Sequence, residues 1–274
     1  IGARFHTDID VTFRLSGETA NGLSFGATID LDEVNNSSSV GGSAANGFNN
    51  ESVFIRGAFG TVTMGDTDGA FDWAMTEVAM LTSLADDHTT HAGYSGNSGL
   101  DGTSDSAAGD GLIARYDYAF GAFAVGVSAE LDSDAGADSI LGLGVKWSGN
   151  MGASAVSLGF GYQDSGARSI MGLSGKITTG GIDLVANYSD LDGQSATAND
   201  SHMALGVGYS IGDLALTANY GVYELVNGNE NSGFGLAANY DLGGGAVIMV
   251  GYGDSDKADG TTASTWSAGL GLSF

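Results

Sequence analysis

Apolar and small polar residues alternate along most of the chain with a period of two. In Phe123–Leu131 the odd positions hold Phe, Val, Val, Ala and Leu, and the even positions hold Ala, Gly, Ser and Glu. Successive side chains of a β-strand point to opposite faces, so this period predicts strands with one apolar face. Further stretches of the same kind are Leu141–Trp147, Val156–Tyr162, Ile182–Tyr188, Met203–Ile211, Leu214–Tyr220, Phe234–Leu242, Ile248–Tyr252 and Trp266–Phe274.

The connections between these stretches alternate in length. Short Gly-containing turns are expected at Gly17–Gly22, Phe59–Gly60, Phe120–Ala122, Gly149–Gly152, Gly180–Gly181, Gly212–Asp213 and Gly243–Gly245. Long polar loops are expected at Glu33–Asn50, Thr67–Asp110, Asp132–Asp138, Asp190–Ser201, Leu225–Asn231 and Asp254–Ala263. Outer-membrane barrels place short turns on the periplasmic side and long loops on the outer side, so the alternation favours that architecture.

The second face of the strands decides between a soluble and a membrane protein. Its residues are mostly Gly, Ser, Asn and Thr with few ionised groups, which is unlike the solvent face of a soluble β-sandwich. Such a face suits a water-filled lumen when the apolar face meets lipid. The sequence therefore predicts an all-β protein, a transmembrane antiparallel β-barrel forming one domain over residues 1–274. A soluble β protein is the alternative.

The strand count predicts one more strand than can be seen. About fifteen strands can be counted, beginning with Arg4–Ser16. The loop lengths direct both this strand and the last one, Trp266–Phe274, toward the periplasmic side. Two strands of the same direction cannot be antiparallel neighbours, and bacterial single-chain barrels have even strand numbers. We therefore expect sixteen strands, the first of which precedes Ile1.

Composition narrows the function classes. The chain has 47 Gly and no Pro, which fits a closed ladder in which every strand has two neighbours. It has no Cys, so disulfides and thiolate metal sites are excluded. Eight Lys and Arg against 33 Asp and Glu give a formal net charge of -25, which argues against nucleic acid as a partner.

Several segments resemble the general diffusion porins of purple and other α-proteobacteria. These segments are Gly22–Ala27, Val53–Asp66, Ala114–Tyr118, Tyr240–Ala246 and the terminal Phe274. The resemblance extends over nearly the whole chain, starting where the second strand of the family would lie, and Ile55–Asp66 is its most specific part. It implies a sixteen-stranded barrel and a homotrimer in the outer membrane, among lipid and lipopolysaccharide. It also implies a third loop folded into the pore and a terminal aromatic residue recognised by the barrel-assembly machinery.

By order and length, Asp66–Asp110 corresponds to that pore-constricting loop. A connection of this length is usually functional. Within it, Phe71–Val78 has helical spacing and predicts a short helix. The candidate acidic residues of the constriction are Asp66, Asp68, Asp72, Glu77, Asp86 and Asp87, followed along the loop by Asp101 and Asp105. The alternative is that they belong to a solvated acidic loop outside the cell.

A basic wall is expected to face this loop. Strand parity places the candidate cations on the lumen face, because an Arg on the lipid face costs about 2–4 kcal/mol at the membrane midplane. The candidates are Arg4, His6, Arg14, Arg56 and Arg115. The resulting transverse field would order water and filter solutes by polarity. The alternative is that these arginines only pair locally with Asp8, Asp10 and Asp117.

The sequence carries weak metal signals and no catalytic motif. Asp66, Asp68, Asp86 and Asp87 offer carboxylates that suit Ca²⁺, so bound Ca²⁺ is possible although no cofactor is required. His88 and His91 are expected to be exposed loop residues rather than a metal pair. No Ser/His/Asp order, phosphate-binding loop or paired-carboxylate motif stands out.

The sequence predicts a passive, water-filled outer-membrane porin for small hydrophilic solutes and ions, weakly selective for cations, and not an enzyme. Two alternatives stay open. One is an outer-membrane barrel enzyme of the phospholipase or protease type, for which the four histidines offer few catalytic candidates. The other is a surface Gly/Asp-rich β adhesin, which would need a repeat of fixed length.

Overall fold

The structure is a computed structural model that describes residues 5, 7, 9, 11–31, 49–84, 89–97, 99–100, 112–131, 139–192 and 198–274. This part of the chain forms fifteen strands and one short helix, α1 (Ala70–Ala74). The strands are β1 (Val11–Glu18), β2 (Ser24–Leu31), β3 (Asn49–Gly57), β4 (Gly60–Gly65), β5 (Ile113–Phe120), β6 (Phe123–Glu130), β7 (Ile140–Met151), β8 (Ser154–Asp164), β9 (Ser169–Thr179), β10 (Ile182–Leu191), β11 (Asn199–Ile211), β12 (Leu214–Leu225), β13 (Glu230–Gly243), β14 (Ala246–Asp256) and β15 (Thr262–Leu272). Among these residues no helix has the length and apolar character needed to cross a membrane.

The strands form one antiparallel sheet in which each strand pairs with the next along the chain, from β1 to β15. The register is nearly unbroken, as in β7 and β8, where Leu143 pairs with Tyr162 and Met151 with Ser154. Within the described residues β1 pairs only with β2, and β15 only with β14. The sixteenth strand stays a prediction.

One face of the sheet is apolar and exposed. Leu141, Leu143 and Leu205 expose 58%, 42% and 50% of their surface, while Gly144 and Ala204 beside them face inward and are buried. Soluble proteins seldom expose apolar surface on this scale, since it favours association. The alternation predicted from the sequence is therefore confirmed, with the apolar side chains on the outside.

All seven expected short turns join neighbouring strands at the same end of the sheet, as the loop-length pattern predicted. At several of them a Gly adopts positive φ, for example Gly121 at 59° and Gly212 at 57°, where a side chain would be strained. Two connections at the opposite end have only four residues each, the one between β8 and β9 and the one between β12 and β13. Between β8 and β9 the chain closes a turn in which Ser165 N donates to Arg168 O at 2.9 Å.

The core lies inside the sheet, between its inner face and the long segment that follows β4. One cluster joins Phe71, Met75 and Leu100 of this segment to Ile140 and Ile170 of the strands. A second cluster joins Val78 and Tyr94 to Val185 and Ala204. The sheet therefore curls around the segment, and the enclosed space is called the lumen below.

Candidate pore constriction

The segment after β4 crosses the lumen, as its described residues 66–84, 89–97 and 99–100 show. Glycines on the inner face mark its path, because a Cβ at each would collide with the loop. At Gly144 the Cβ would meet Ala70 O, and at Gly159 it would meet Ala74 O. Further along the path are Gly206 beside Val78, Gly221 beside Gly93, Gly235 beside Thr89 and Gly269 beside Leu84. The predicted third loop is thus folded into the lumen.

The inner face of the sheet, called the wall here, holds the loop through neutral polar side chains. Several strands contribute one such side chain each. On β6, Ser128 Oγ accepts a hydrogen bond from Ala70 N at 2.8 Å. On β9, Ser174 Oγ accepts one from Thr76 N at 2.9 Å. The other anchors are Gln163 to Leu100 N, Asn187 to Asn97 Oδ1, His202 to Gly93 O, Asn219 to Thr89 O and Ser255 to Ala92 N. The loop backbone is therefore satisfied by the wall, as buried backbone groups must be.

These anchors also explain why the helix is shorter than expected. The sequence predicted a helix over Phe71–Val78, whereas α1 spans Ala70–Ala74. The helix ends before Met75, whose ψ of 151° is extended. Thr76 N donates to Ser174 Oγ and Val78 N donates to the hydroxyl of Tyr94, so neither amide is available to continue the helix. Tertiary hydrogen bonds override the local spacing here.

The loop's second half is held by a histidine. His91 Nδ1 accepts from Gly93 N at 3.1 Å, so the ring proton lies on Nε2, which donates to Asn219 Oδ1 at 2.7 Å. Burial lowers the pKa of His91, which favours this neutral ring, although the bond to Asn219 opposes the shift. The expectation of an exposed His91 is wrong: it is 8% exposed because it fills the gap between the loop and β12. His88 lies outside the described residues.

Two cations of the wall flank the aromatic side chain of α1. Lys146 Nζ on β7 lies 4.1 Å from the ring centroid of Trp73, and Arg115 Cζ on β5 lies 5.8 Å from it. Arg115 also donates through NH1 to the backbone oxygen of Asp68, and its Nε lies 3.7 Å from Asp117 Oδ1. A cation over an aromatic ring contributes about 0.5–1 kcal/mol at exposed sites and more where water is excluded, so these contacts to the partly buried Trp73 hold the start of the loop against β5 and β7.

Acidic side chains of the loop lie close to these cations and to one another. Burial, and secondly the charge of Asp68, raise the pKa of Asp72 to about 6, while Arg115 and Lys146 oppose the shift. The pKa of Glu77 is raised to about 7, first by loss of water and then by Asp72, and the backbone N–H of Asn97 opposes this. The constriction therefore combines three acidic side chains with two cations, and two of the acids change charge near neutral pH.

Comparison with known proteins supports a single family. A sequence profile described as Gram-negative porin matches residues 2–260. A porin of Rhodobacter capsulatus is 30% identical over 292 aligned residues, which cover 96% of this chain and 91% of that protein. The chain belongs to the Gram-negative porins. It is thus an outer-membrane β-barrel channel protein.

Solved structures share the fold of this porin at low sequence identity. A triple mutant of the Rhodopseudomonas blastica porin superposes with a TM-score of 0.69 at 17% identity, covering 97% of this chain and 90% of that one. OmpT of Vibrio cholerae in its trimer form gives a TM-score of 0.64 at 15% identity, covering 96% and 88%. An anion-selective porin from Comamonas acidovorans gives 0.62 at 17% identity, covering 96% and 84%. The predicted fold and family are confirmed.

The structure brings together some of the predicted constriction residues of the porin. Arg115, Asp68 and Asp72 meet beside Trp73, and the local pairing of Arg115 with Asp117 coexists with this arrangement. Glu77 continues the acidic series, but its carboxylate is engaged within the loop, where it accepts from Tyr94 Oη and Asn97 N.

Other predicted residues lie apart from Trp73. Arg56 on β3 donates to Thr61 Oγ1 at 3.0 Å and lies over Phe54, and Arg14 is an exposed lumen-facing residue of β1. Asp66 begins the loop, with its N–H bonded to Glu51 O. Arg4, His6, Asp8, Asp10, Asp86, Asp87, Asp101 and Asp105 lie outside the described residues.

Lys146 was missing from the expected basic wall. Strand parity alone places it on the lumen face, between Val145 and Trp147 of the outer face, so the alternation in β7 contained the signal. The sequence did not show that Trp73 lies beside Lys146 in the folded protein.

The Ca²⁺ expectation stays untested. In the described part of the chain, no group of three or more His, Asp or Glu is placed to hold a metal ion. Asp86 and Asp87, half of the predicted set, lie outside that part.

Proposed function

We propose that this porin is a general diffusion channel for small hydrophilic solutes and ions, with a weak preference for cations. One observation carries the proposal: the loop narrows the lumen and sets Asp68 and Asp72 beside Arg115 and Lys146. Oppositely charged groups across a narrow passage orient water and favour polar solutes over apolar ones.

The direction of the selectivity is argued from charge. The formal net charge of -25 raises the local concentration of cations at the pore mouths, and the loop adds Asp68, Asp72 and Glu77. Arg115 and Lys146 partly offset this inside the constriction, so we expect the preference to be weak. The fold alone does not decide the sign, since a porin of the same fold from Comamonas acidovorans is anion-selective.

The proposal includes no chemical reaction. The two described histidines that a barrel enzyme could use, His91 and His202, hydrogen bond to Asn219 and to Gly93 O respectively. Both are engaged in holding the loop against the wall.

The channel proposal is tested by reconstituting the purified porin in a planar lipid bilayer under a KCl gradient. We expect stepwise conductance and a reversal potential displaced modestly toward the potassium equilibrium potential. A displacement toward the chloride equilibrium potential would overturn the cation preference. Vesicles that exclude small sugars after reconstitution would overturn the diffusion function itself.

We also propose a homotrimer, with β4–β6 at the subunit interface. These three strands have 6 to 8 residues between described non-strand residues, whereas β7–β15 have 10 to 14. A tilted strand needs about 9–11 residues to span the hydrocarbon layer, so the short wall matches lipid poorly. Its outer face is nonetheless apolar, with Val62 37% and Phe120 49% exposed, which suits a protein neighbour. The trimer form of OmpT, an outer membrane protein of the same fold, supports this.

The absence of Cys makes the trimer testable by single-site labelling. Val62→Cys on β4 and Val207→Cys on β11 both place one thiol on the outer face, at residues of similar exposure (37% and 43%). In detergent below the dissociation temperature, we expect a bulky maleimide to label position 207 and spare position 62. After heat dissociation both should label. Equal labelling before heating would exclude β4 from an interface.

A further inference from the structure

A cavity of about 320 Å³ lies beside the constriction loop, at the end of the lumen where the long loops are. The loop forms one side of it, and the ends of β9–β13 form the other. Its volume lies at the lower end of the range typical of small-molecule sites, about 300–1,000 Å³. The described polar residues around it are Ser95, Asn97, Ser189, Asn199, His202, Tyr223 and Asn231.

The described residues around this cavity include no Asp, Glu, Lys or Arg. This contrasts with the whole chain, which carries 33 acidic residues. An ionic ligand entering the cavity would give up water and find no opposite charge, which is unfavourable. The cavity therefore suits a neutral ligand.

Apart from the imidazole of His202, which is bonded to Gly93 O, the polar groups around the cavity are amides and hydroxyls, which both donate and accept hydrogen bonds. The ring of Tyr223 supplies apolar surface next to them. That ring is fixed, because it stacks on His202 with the centroids 4.0 Å apart and bonds to Ser95. A flat apolar ring surrounded by amides and hydroxyls is complementary to a molecule with C–H faces and a rim of hydroxyl groups.

Asn97 places a fixed amide in the wall of the cavity. It is 6% exposed, its Oδ1 accepts from Asn187 Nδ2 at 2.9 Å, and its side chain also bonds to Glu77. The amide is therefore held in place by the loop and by β10.

We propose that this cavity is a binding subsite for a small neutral polyhydroxylated solute of monosaccharide size. Such a subsite would hold the solute next to the constriction and raise its concentration there. The proposal rests on the proposed function, because the solute reaches the cavity through the lumen.

The subsite is tested with the reconstituted porin by adding D-glucose and measuring the open-channel current. We expect the open-channel current to fall and then to level off as the D-glucose concentration rises. This saturable component adds to the linear decrease that comes from the lower conductivity of the sugar solution. Glucuronate and glucosamine, which differ from D-glucose by one charged group, should bind about tenfold more weakly, a difference of about 1.4 kcal/mol. Equal binding of the three sugars, or no saturable component, would overturn the subsite.

Variants locate the site. Asn199→Leu fills the cavity and removes an amide, so we expect the saturable component to be lost. Tyr223→Phe keeps the ring and its stacking but removes the hydroxyl. We expect the affinity for D-glucose to fall about threefold. Asn150→Ala, which removes an exposed amide near the opposite end of β7, is the matched control and should bind as the unmodified protein does. Unchanged binding in Asn199→Leu would place the sugar elsewhere.

Failure of the subsite and failure of the channel give different results. A conducting pore without saturable glucose block overturns the subsite alone. If the porin does not conduct, calorimetric titration of the detergent-solubilised protein with D-glucose and glucuronate makes the same comparison. Heat released on adding D-glucose but not glucuronate would support the subsite, and no heat with either would overturn it.

Discussion

At the scale of single residues, Lys146 and Arg115 share the ring of Trp73, and this sets the charge of the constriction. Lys146→Met removes one positive charge and keeps a side chain long enough to pack on Trp73. We expect stronger cation selectivity, measured as a reversal potential shifted further toward the potassium equilibrium potential. Lys257→Met, in the turn between β14 and β15, is the control. Equal shifts in both variants would mean that only net charge matters.

The carboxyl groups of the loop make the selectivity depend on pH. Ordinary Asp and Glu stay charged above a pH of about 5. The pKa of Asp72 is raised to about 6 and that of Glu77 to about 7, so both become neutral as the pH falls through these values. We expect cation selectivity to decrease between a pH of about 8 and about 5.

Matched variants assign this pH dependence. Asp72→Asn should remove the part of the transition near the lower of the two pKa values, whereas Asp259→Asn in the β14–β15 turn should leave the shape and pH range of the transition unchanged. Reversal potentials measured across the pH range give the answer. A flat curve in the unmodified porin would show that water in the lumen keeps both carboxylates charged.

At the scale of elements, glycines of the wall decide where α1 lies. Gly159 of β8 faces the lumen, and a Cβ there would collide with Ala74 O. Gly175 of β9 faces outward, and its Cβ would meet the end of Leu158 at 3.2 Å and Ser157 O at an ordinary 3.7 Å. We expect Gly159→Ala to displace α1 and change the single-channel conductance, while Gly175→Ala leaves it unchanged. Unaltered conductance in both variants would mean that the loop moves without widening or narrowing the pore.

The sequence was sufficient for the strands but not for the loop. Alternation placed Leu141 and Leu143 outside and Gly144 inside, because side-chain direction in a strand depends only on position along it. Spacing failed for the helix, since the amides of Thr76 and Val78 bond to residues far away in the chain. The importance of Lys146 was missed for the same reason, because its contact with Trp73 exists only once the loop has crossed the lumen.

At the scale of the whole molecule, the usual arrangement of a soluble protein is inverted. Apolar side chains cover the outside of the sheet, small polar ones line the inside, and the hydrophobic clusters lie between the loop and the inner wall. Most anchors of the loop are neutral amides and hydroxyls rather than ion pairs. This leaves the charges of the lumen available to act on ions, while hydrogen bonds and packing hold the loop.

Two groups of acidic residues affect a passing ion, the exposed acids at the pore mouths and the carboxylates of the constriction. The salt concentration distinguishes their effects on selectivity. The Debye length falls from about 10 Å at 0.1 M to about 3 Å at 1 M, so concentrated salt screens the exposed acids at the pore mouths. An ion in the constriction passes close to Asp72 at any ionic strength. We therefore expect cation selectivity to fall with rising salt but not to vanish. Asp259→Asn should reduce it only in dilute salt, and Asp72→Asn should reduce it in both. Reversal potentials at the two concentrations measure this, and complete loss of selectivity in 1 M KCl would place its source at the mouths instead of at the loop.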